Sequence, residues 1–164
     1  MYYYITNFYD LRFFTPNCIP VSTALGDPAY FHNNTKNKNY CFVDAKGVMN
    51  GIREESLSPK YLPAEAHVCS AECAYKDQNP NCPFVTAYRA YLNTVDFTEL
   101  IKELERTAKE VQLALRCSEE PCIVLLVHEA IDNPCSERWA LQDYFRANGI
   151  DLQNWSRELG GHVF

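Results

Sequence analysis

Apolar positions along the chain fall into two kinds of pattern. Phe97, Leu100, Ile101, Leu104, Ala108, Val111 and Leu115 recur every three to four residues, which lines one face of a helix. Asp96 precedes this run and Glu99 follows it three residues later, an arrangement of the capping-box type. The spacing predicts a helix over 96–115. A second helix is expected from near Pro134 to about Asn148, with Leu141, Tyr144 and Phe145 on its buried face. Asn133 suits its N-cap, Pro134 its first helical position and Gly149 its C-terminal stop.

Between the two helices lies PCIVLLV, residues Pro121 to Val127. An unbroken apolar run of this length, bounded by turn chemistry, suits a strand buried on both faces of a parallel sheet. Tyr2 to Thr6 and Cys18 to Val21 read as two earlier strands, and Pro20, which lacks a donor, places the second near an edge. Tyr40 to Val43 and Ile150 to Leu152 are candidates for further short strands. His32 to Asn39 is a polar surface loop. The order strand, strand, insertion, helix, strand, helix predicts one α/β domain over 1–164. Its sheet is small, mainly parallel and flanked by helices, a Rossmann-like three-layer arrangement.

Composition narrows the function classes. The chain has 164 residues, of which 47% are apolar and 22% charged, with a formal net charge of −6. That balance argues against a protein that coats nucleic acid, which needs clustered Lys and Arg. The longest apolar run, Cys122 to Val127, is far too short to span a membrane, and the first residues lack the basic region of a signal peptide. A cytoplasmic protein is expected, with neither a membrane partner nor a nucleic-acid partner. Eight cysteines in a reducing compartment then call for an explanation other than disulfides, either metal binding or reactivity. Cys18 and Cys122 sit in strands and read as core residues.

Residues 63–84 form a Cys-rich insertion with little periodicity, a stretch that something other than regular packing must organise. His67, Cys69, Cys73 and Cys82 have the composition of a closed tetrahedral site for structural zinc. The spacing is not the paired C-x₂-C pattern, and Cys18, Cys41 or a more distant residue are alternatives to His67. The same loop is the expected contact surface for a protein partner.

In parallel sheets ligands collect beyond the carboxyl ends of the strands, which directs attention to VHEAIDNPCSER at residues 127–138. On the expected helix boundary the backbone N–H groups of Cys135 and Ser136 lie in the first turn, where they are unpaired and favour an anion. The same field lowers a thiol's pKa. His128, Glu129 and Cys135 are therefore the candidate catalytic residues, Cys135 as nucleophile and the other two as general acid or base. Asn7, Tyr9, Ser22, Ser136 and Arg138 are the candidate ligand-binding residues. The bland alternative makes Glu129 and Glu137 solvated surface carboxylates and Cys135 a packing residue.

Several segments together resemble the domain-of-unknown-function 488 family: YYYITNFYDLRFFTPNCIPVSTALGDPAYF, LSPKYL, YRAYLNTVDFTELIKELE and IVLLVHEAIDNPCSERWALQDYFRANGI. The resemblance spans most of the chain apart from the polar loop and the Cys-rich stretch. Cys135 matches that family's cysteine at the helix start, whereas Val127-His128-Glu129 lacks its strand-end cysteine and Ser136-Glu137-Arg138 replaces its His-Arg pair. The resemblance implies the fold and the position of the site. The expected ligand is small and anionic, of a nucleotide-like kind, with hydrolytic or glycosidic-bond chemistry. The alternative is a non-catalytic ligand-sequestering or protein-interaction module stabilised by zinc.

Overall fold

The computed structural model describes residues 1–32, 41–62, 82–133 and 135–160. Its main sheet contains β1 (Tyr2–Asn7), β2 (Cys18–Ser22), β5 (Ile52–Arg53), β6 (Cys122–Val127) and β7 (Gln153–Asn154). The strand order is β5-β2-β6-β1-β7, and every pairing is parallel. A separate antiparallel hairpin joins β3 (Phe42–Val43) to β4 (Met49–Asn50). The helices are α1 (Pro83–Leu92), α2 (Phe97–Leu115), α3 (Glu137–Ala147) and the short α4 (Arg157–Gly160). This is the expected α/β architecture, a parallel sheet flanked by helices.

β6 is the axis of the fold. All six of its residues are buried, because successive side chains point to opposite faces and both faces are covered. Ile123, Leu125 and Val127 join the core beneath α1, α2 and α3. Cys122, Val124 and Leu126 join a second core with Phe8, Leu11, Phe14, Phe31 and Trp155. The cover on that second face is a 3₁₀ turn over Phe8–Phe13, a shorter one over Ala29–His32 and the segment after β7. Cys18 and Cys122 face each other across the β2–β6 ladder. The Cys122 thiol donates to the Cys18 sulfur at 3.4 Å. This bond holds the Cys18 thiol down at about 6, against burial, and pushes Cys122 up.

Helix ends follow local chemistry. Asp96 caps α2 by accepting from the backbone of Thr98 and Glu99. At the end of α3, Gly149 adopts φ +87°. There the Gly149 N–H donates to the Arg146 carbonyl and the Ile150 N–H to the Phe145 carbonyl, each at 3.0 Å, the paired bonds of a Schellman stop.

The start of α3 departs from expectation. The helix begins at Glu137, capped by the Ser136 hydroxyl, which accepts from the Arg138 N–H at 3.1 Å. Asn133 instead builds a turn ahead of the helix. Its side chain accepts from the Cys135 N–H at 2.9 Å, and its carbonyl accepts from the Ser136 N–H at 3.3 Å. Two residues that can both cap compete within four positions, and the later one wins. Two smaller shifts accompany it. The last strand is Gln153–Asn154 rather than 150–152, and the third is confined to Phe42–Val43. Pro20 lies between β5 and β6, but β5 reaches only Val21 and Ser22, so the missing donor falls where β5 has no partner to offer.

α1 begins within the expected insertion. Cys82 is its N-cap and Pro83 its first residue. Tyr88 and Tyr91 lie three apart on one face of this helix. Tyr88 is fully buried and donates to the Leu57 carbonyl, while Tyr91 donates to the Ser56 carbonyl at 2.8 Å. Among the described residues, no helix is long and apolar enough to cross a membrane.

Candidate functional site

β6 lies between β1 and β2, and the chain leaves both of these neighbours toward the β5 edge of the sheet but leaves β6 toward the β7 edge. Such a switch point opens a crevice at the carboxyl ends of the strands. Here the crevice holds a cavity of about 240 Å³, lined by His128, Glu129, Asn133, Cys135 and Glu137 with Leu25, Pro59 and Phe84. His128 and Glu129 follow β6 directly, and Cys135 and Glu137 approach from the turn and first residue of α3. Three expected catalytic residues therefore meet in one cavity.

Glu137 is the least conventional of these groups. It is only 6% exposed, and its Oε2 has no hydrogen-bond partner among the described residues. Burial, reinforced by the nearby Glu129 carboxylate, pushes its carboxyl well above the usual range. The helix N-terminus favours the anion by only about 0.3–1 kcal/mol, whereas removing a carboxylate from water costs several. Desolvation wins, and the protonated form of Glu137 is favoured over its ordinary balance. Tyr88, buried beside this pair, is likewise raised by burial first and then by the charge of Glu137.

Glu129 is half-buried, and the Ser136 hydroxyl lies 3.4 Å from its Oε2. Ser136 thus ties the loop after β6 to the cap of α3. His128 is exposed. Its Nε2 bonds the Gly26 carbonyl, and its ring packs on Phe8 at 4.9 Å between centroids. Because a carbonyl only accepts, Nε2 carries the proton and Nδ1 is the acceptor of the neutral ring. Cys135 is 8% exposed and forms no disulfide.

The expected ligand-binding residues separate. Ser22 is fully buried at the end of β2, where its hydroxyl donates to Asp27 and accepts from the Ala24 N–H at 3.3 Å. Arg53 pairs with the same Asp27 and donates to the Ala24 carbonyl at 2.8 Å. Ser22 therefore belongs to an internal network that shapes the loop after β2. Asn7 caps the 3₁₀ turn over Phe8–Phe13 by accepting from the Tyr9 N–H at 3.1 Å. Tyr9 is 66% exposed and faces a different cavity.

Arg138 points inward. At 1% exposure it donates to the Ile5 carbonyl at 3.2 Å and to Asn154 Oδ1 at 2.7 Å. Burial lowers its pKa, opposed by Asp10 and Glu129. The guanidinium fastens α3 to β1 and β7 rather than lining the cavity. The N–H groups of Cys135 and Ser136 are likewise engaged by Asn133, so the donor set expected to hold an anion is turned to internal bonds.

Glu137 is the site residue that sequence reasoning left on the surface. A signal was present: Glu137, Leu141, Tyr144 and Phe145 fall at i, i+4, i+7 and i+8, one helix face. Of the expected zinc ligands, His67, Cys69 and Cys73 lie outside the described residues. Cys82 is buried at 3% exposure in the core beneath α1. Among the described residues no group of three or more His, Cys, Asp or Glu side chains is placed to hold a metal.

No family model matches the chain, and neither a curated protein nor a solved structure matches it.

Proposed function

We propose that the chain is an acid–base catalyst that cleaves a glycosidic or similar bond in a small polar substrate by hydrolysis. The observation that carries this reading is Glu137: a nearly buried carboxyl, its proton affinity raised by that burial, with an oxygen unpartnered among the described residues on the wall of a cavity that also holds Glu129. Two carboxyl groups whose environments separate their proton affinities form an acid and a base. Glu137 gives its proton to the leaving atom as that bond breaks. Glu129 takes a proton from water, whose oxygen forms the new bond to carbon. Exchange with solvent then returns each carboxyl to its starting state.

The lining is acidic and its nearest guanidinium is turned away, so the part of the substrate that enters this cavity is uncharged. The resemblance to the domain-of-unknown-function 488 family supports the same location for the site. His128, with Nδ1 free to accept, orients substrate hydroxyls at the rim.

The test is turnover of a panel of p-nitrophenyl glycosides and ribonucleosides by the purified chain. Glu137→Gln and Glu129→Gln should each reduce turnover by about 10²–10⁴-fold, the usual contribution of a positioned acid or base. Activity that survives both substitutions unchanged overturns the assignment.

A further inference from the structure

A second and larger cavity, of about 460 Å³, lies on the other side of Phe8. Phe8 lines it while its ring packs on His128 of the carboxylate cavity. Tyr9, Tyr30 and Phe42 supply further aromatic walls, and Arg12 and Lys46 supply positive charge. The volume falls within the range of small-molecule sites. We infer that this groove binds a planar aromatic ring bearing a phosphate, a ligand of mononucleotide size and chemistry.

The aromatic half of the argument is exposure. Tyr9 and Tyr30 are 66% and 55% exposed, so neither ring is consumed by the core. Open aromatic faces set around one concavity are stacking platforms, and every base has a π-face to offer them.

The charged half rests on what Arg12 does not do. Arg53, Arg89, Arg106 and Arg146 each pair with a carboxylate, whereas Arg12, Arg116, Arg138 and Arg157 have no ion pair among the described residues. Among the described residues Arg12 has neither an ion pair nor a hydrogen bond, in a chain of net charge −6. Its guanidinium carbon instead lies 3.3 Å from the Tyr9 ring centroid and 5.0 Å from that of Phe13. A stacked guanidinium keeps its N–H edge for bidentate contact with phosphate. Lys46 adds a second cation. Its Nζ donates to the Leu11 carbonyl at 2.9 Å, which fixes it beside Arg12 and leaves further N–H groups to offer.

The acid in the groove does not cancel these charges. Asp44 accepts from the backbone of Lys46 and Val48 through Oδ1, and from Asn50 through Oδ2 at 3.2 Å. It is committed to the turn of the β3–β4 hairpin. Gly47 completes that turn at φ +83°, with a Cβ there meeting Pro16 at 3.3 Å. The hairpin thus presents Lys46 from a fixed position.

This inference does not depend on the acid–base reading, and the test keeps the two apart. Adenosine 5′-monophosphate is titrated into the full chain carrying Glu137→Gln, with binding read by calorimetry and by amide chemical shifts. Saturable binding is expected, with shifts at Tyr9, Arg12 and Tyr30. Arg12→Ala and Tyr9→Ala should each weaken it at least tenfold, and Tyr9→Phe should hold it within about twofold, because the ring and not the hydroxyl is used. Adenosine and inorganic phosphate should each bind more weakly than the nucleotide, and raised salt should weaken the nucleotide. Absence of saturable binding by adenosine, guanosine and uridine monophosphates overturns the inference. Binding that ignores both alanine substitutions overturns it equally. Arg12 and Tyr9 are exposed, so circular dichroism of these variants should match that of the parent.

Discussion

Arg138 and Arg12 carry the same side chain into opposite situations. Arg138 belongs to α3 at 1% exposure, with its Nη1 donating inward to Ile5 and Asn154. Arg12 lies on the surface, stacked on Tyr9, with no carboxylate partner among the described residues. The two cavities repeat the contrast. One is acidic and holds a carboxyl whose burial favours its protonated form; the other is open, aromatic and cationic. Burial converts charge into neutral proton-donating capacity or internal fastening, and exposure leaves it available for a ligand. Arginine in a promising segment therefore says little about ligand binding until its depth is known.

The sharpest test of this contrast is chemical: the carboxylate substitutions should cost orders of magnitude in turnover, while Arg12→Ala should spare the chemical step at saturating substrate. The next largest effect is on stability. Arg138→Ala leaves the Ile5 carbonyl and Asn154 without their donor and opens a void in the interior, for an expected loss of about 3 kcal/mol by urea denaturation. Arg12→Ala, an exposed change, should stay within about 0.5 kcal/mol. Equal losses from the two would erase the distinction.

A smaller and more diagnostic effect follows from Glu137. Its folded-state proton affinity is raised, so the folded chain binds more protons than the unfolded chain once pH exceeds the ordinary carboxylate range. Its contribution to stability is complete below that range and declines as pH rises. Glu137→Gln mimics the protonated form without that penalty. The variant should melt a few degrees above the parent at pH 8, and the difference should vanish near pH 4. A difference between parent and variant that stays constant from pH 4 to pH 8 would mean that Glu137 ionises as readily in the folded chain as in the unfolded one.

Much of the framework was legible because it rests on local chemistry. PCIVLLV announces a strand buried on both faces, Asp96 announces a cap and Gly149 announces a stop, and each does so in the structure. The site was legible in position: His128, Glu129 and Cys135 line one cavity. Its chemistry was less so, because it turned on a three-residue shift in a helix start. Asn133-Pro134 and Ser136 are both good beginnings, and only tertiary packing chooses between them. Glu137 shares the buried face of Leu141 by its spacing alone, while the later start leaves the donors expected to meet an anion taken up by Asn133. The groove around Arg12 was not legible: Tyr9 was expected at the strand-end site and faces this groove instead. Its walls come from three segments, the turn after β1, Tyr30 and the β3–β4 hairpin, that no local pattern connects.

The strand order also has a temporal consequence. β1 pairs only with β6 and β7, and β2 pairs with β6 and the two-residue β5. During synthesis the first strand therefore emerges with no ladder partner until residue 122 has left the ribosome. At about 5–20 residues per second, that wait is on the order of ten seconds. Throughout it, Tyr2–Asn7 and Cys18–Ser22 present unpaired strand edges beside apolar side chains, the form in which chains associate with one another. Helices α1 and α2, completed before β6 exists, have no central strand to pack on. Closure of the sheet is thus a late, single event in which β6 enters between two waiting strands.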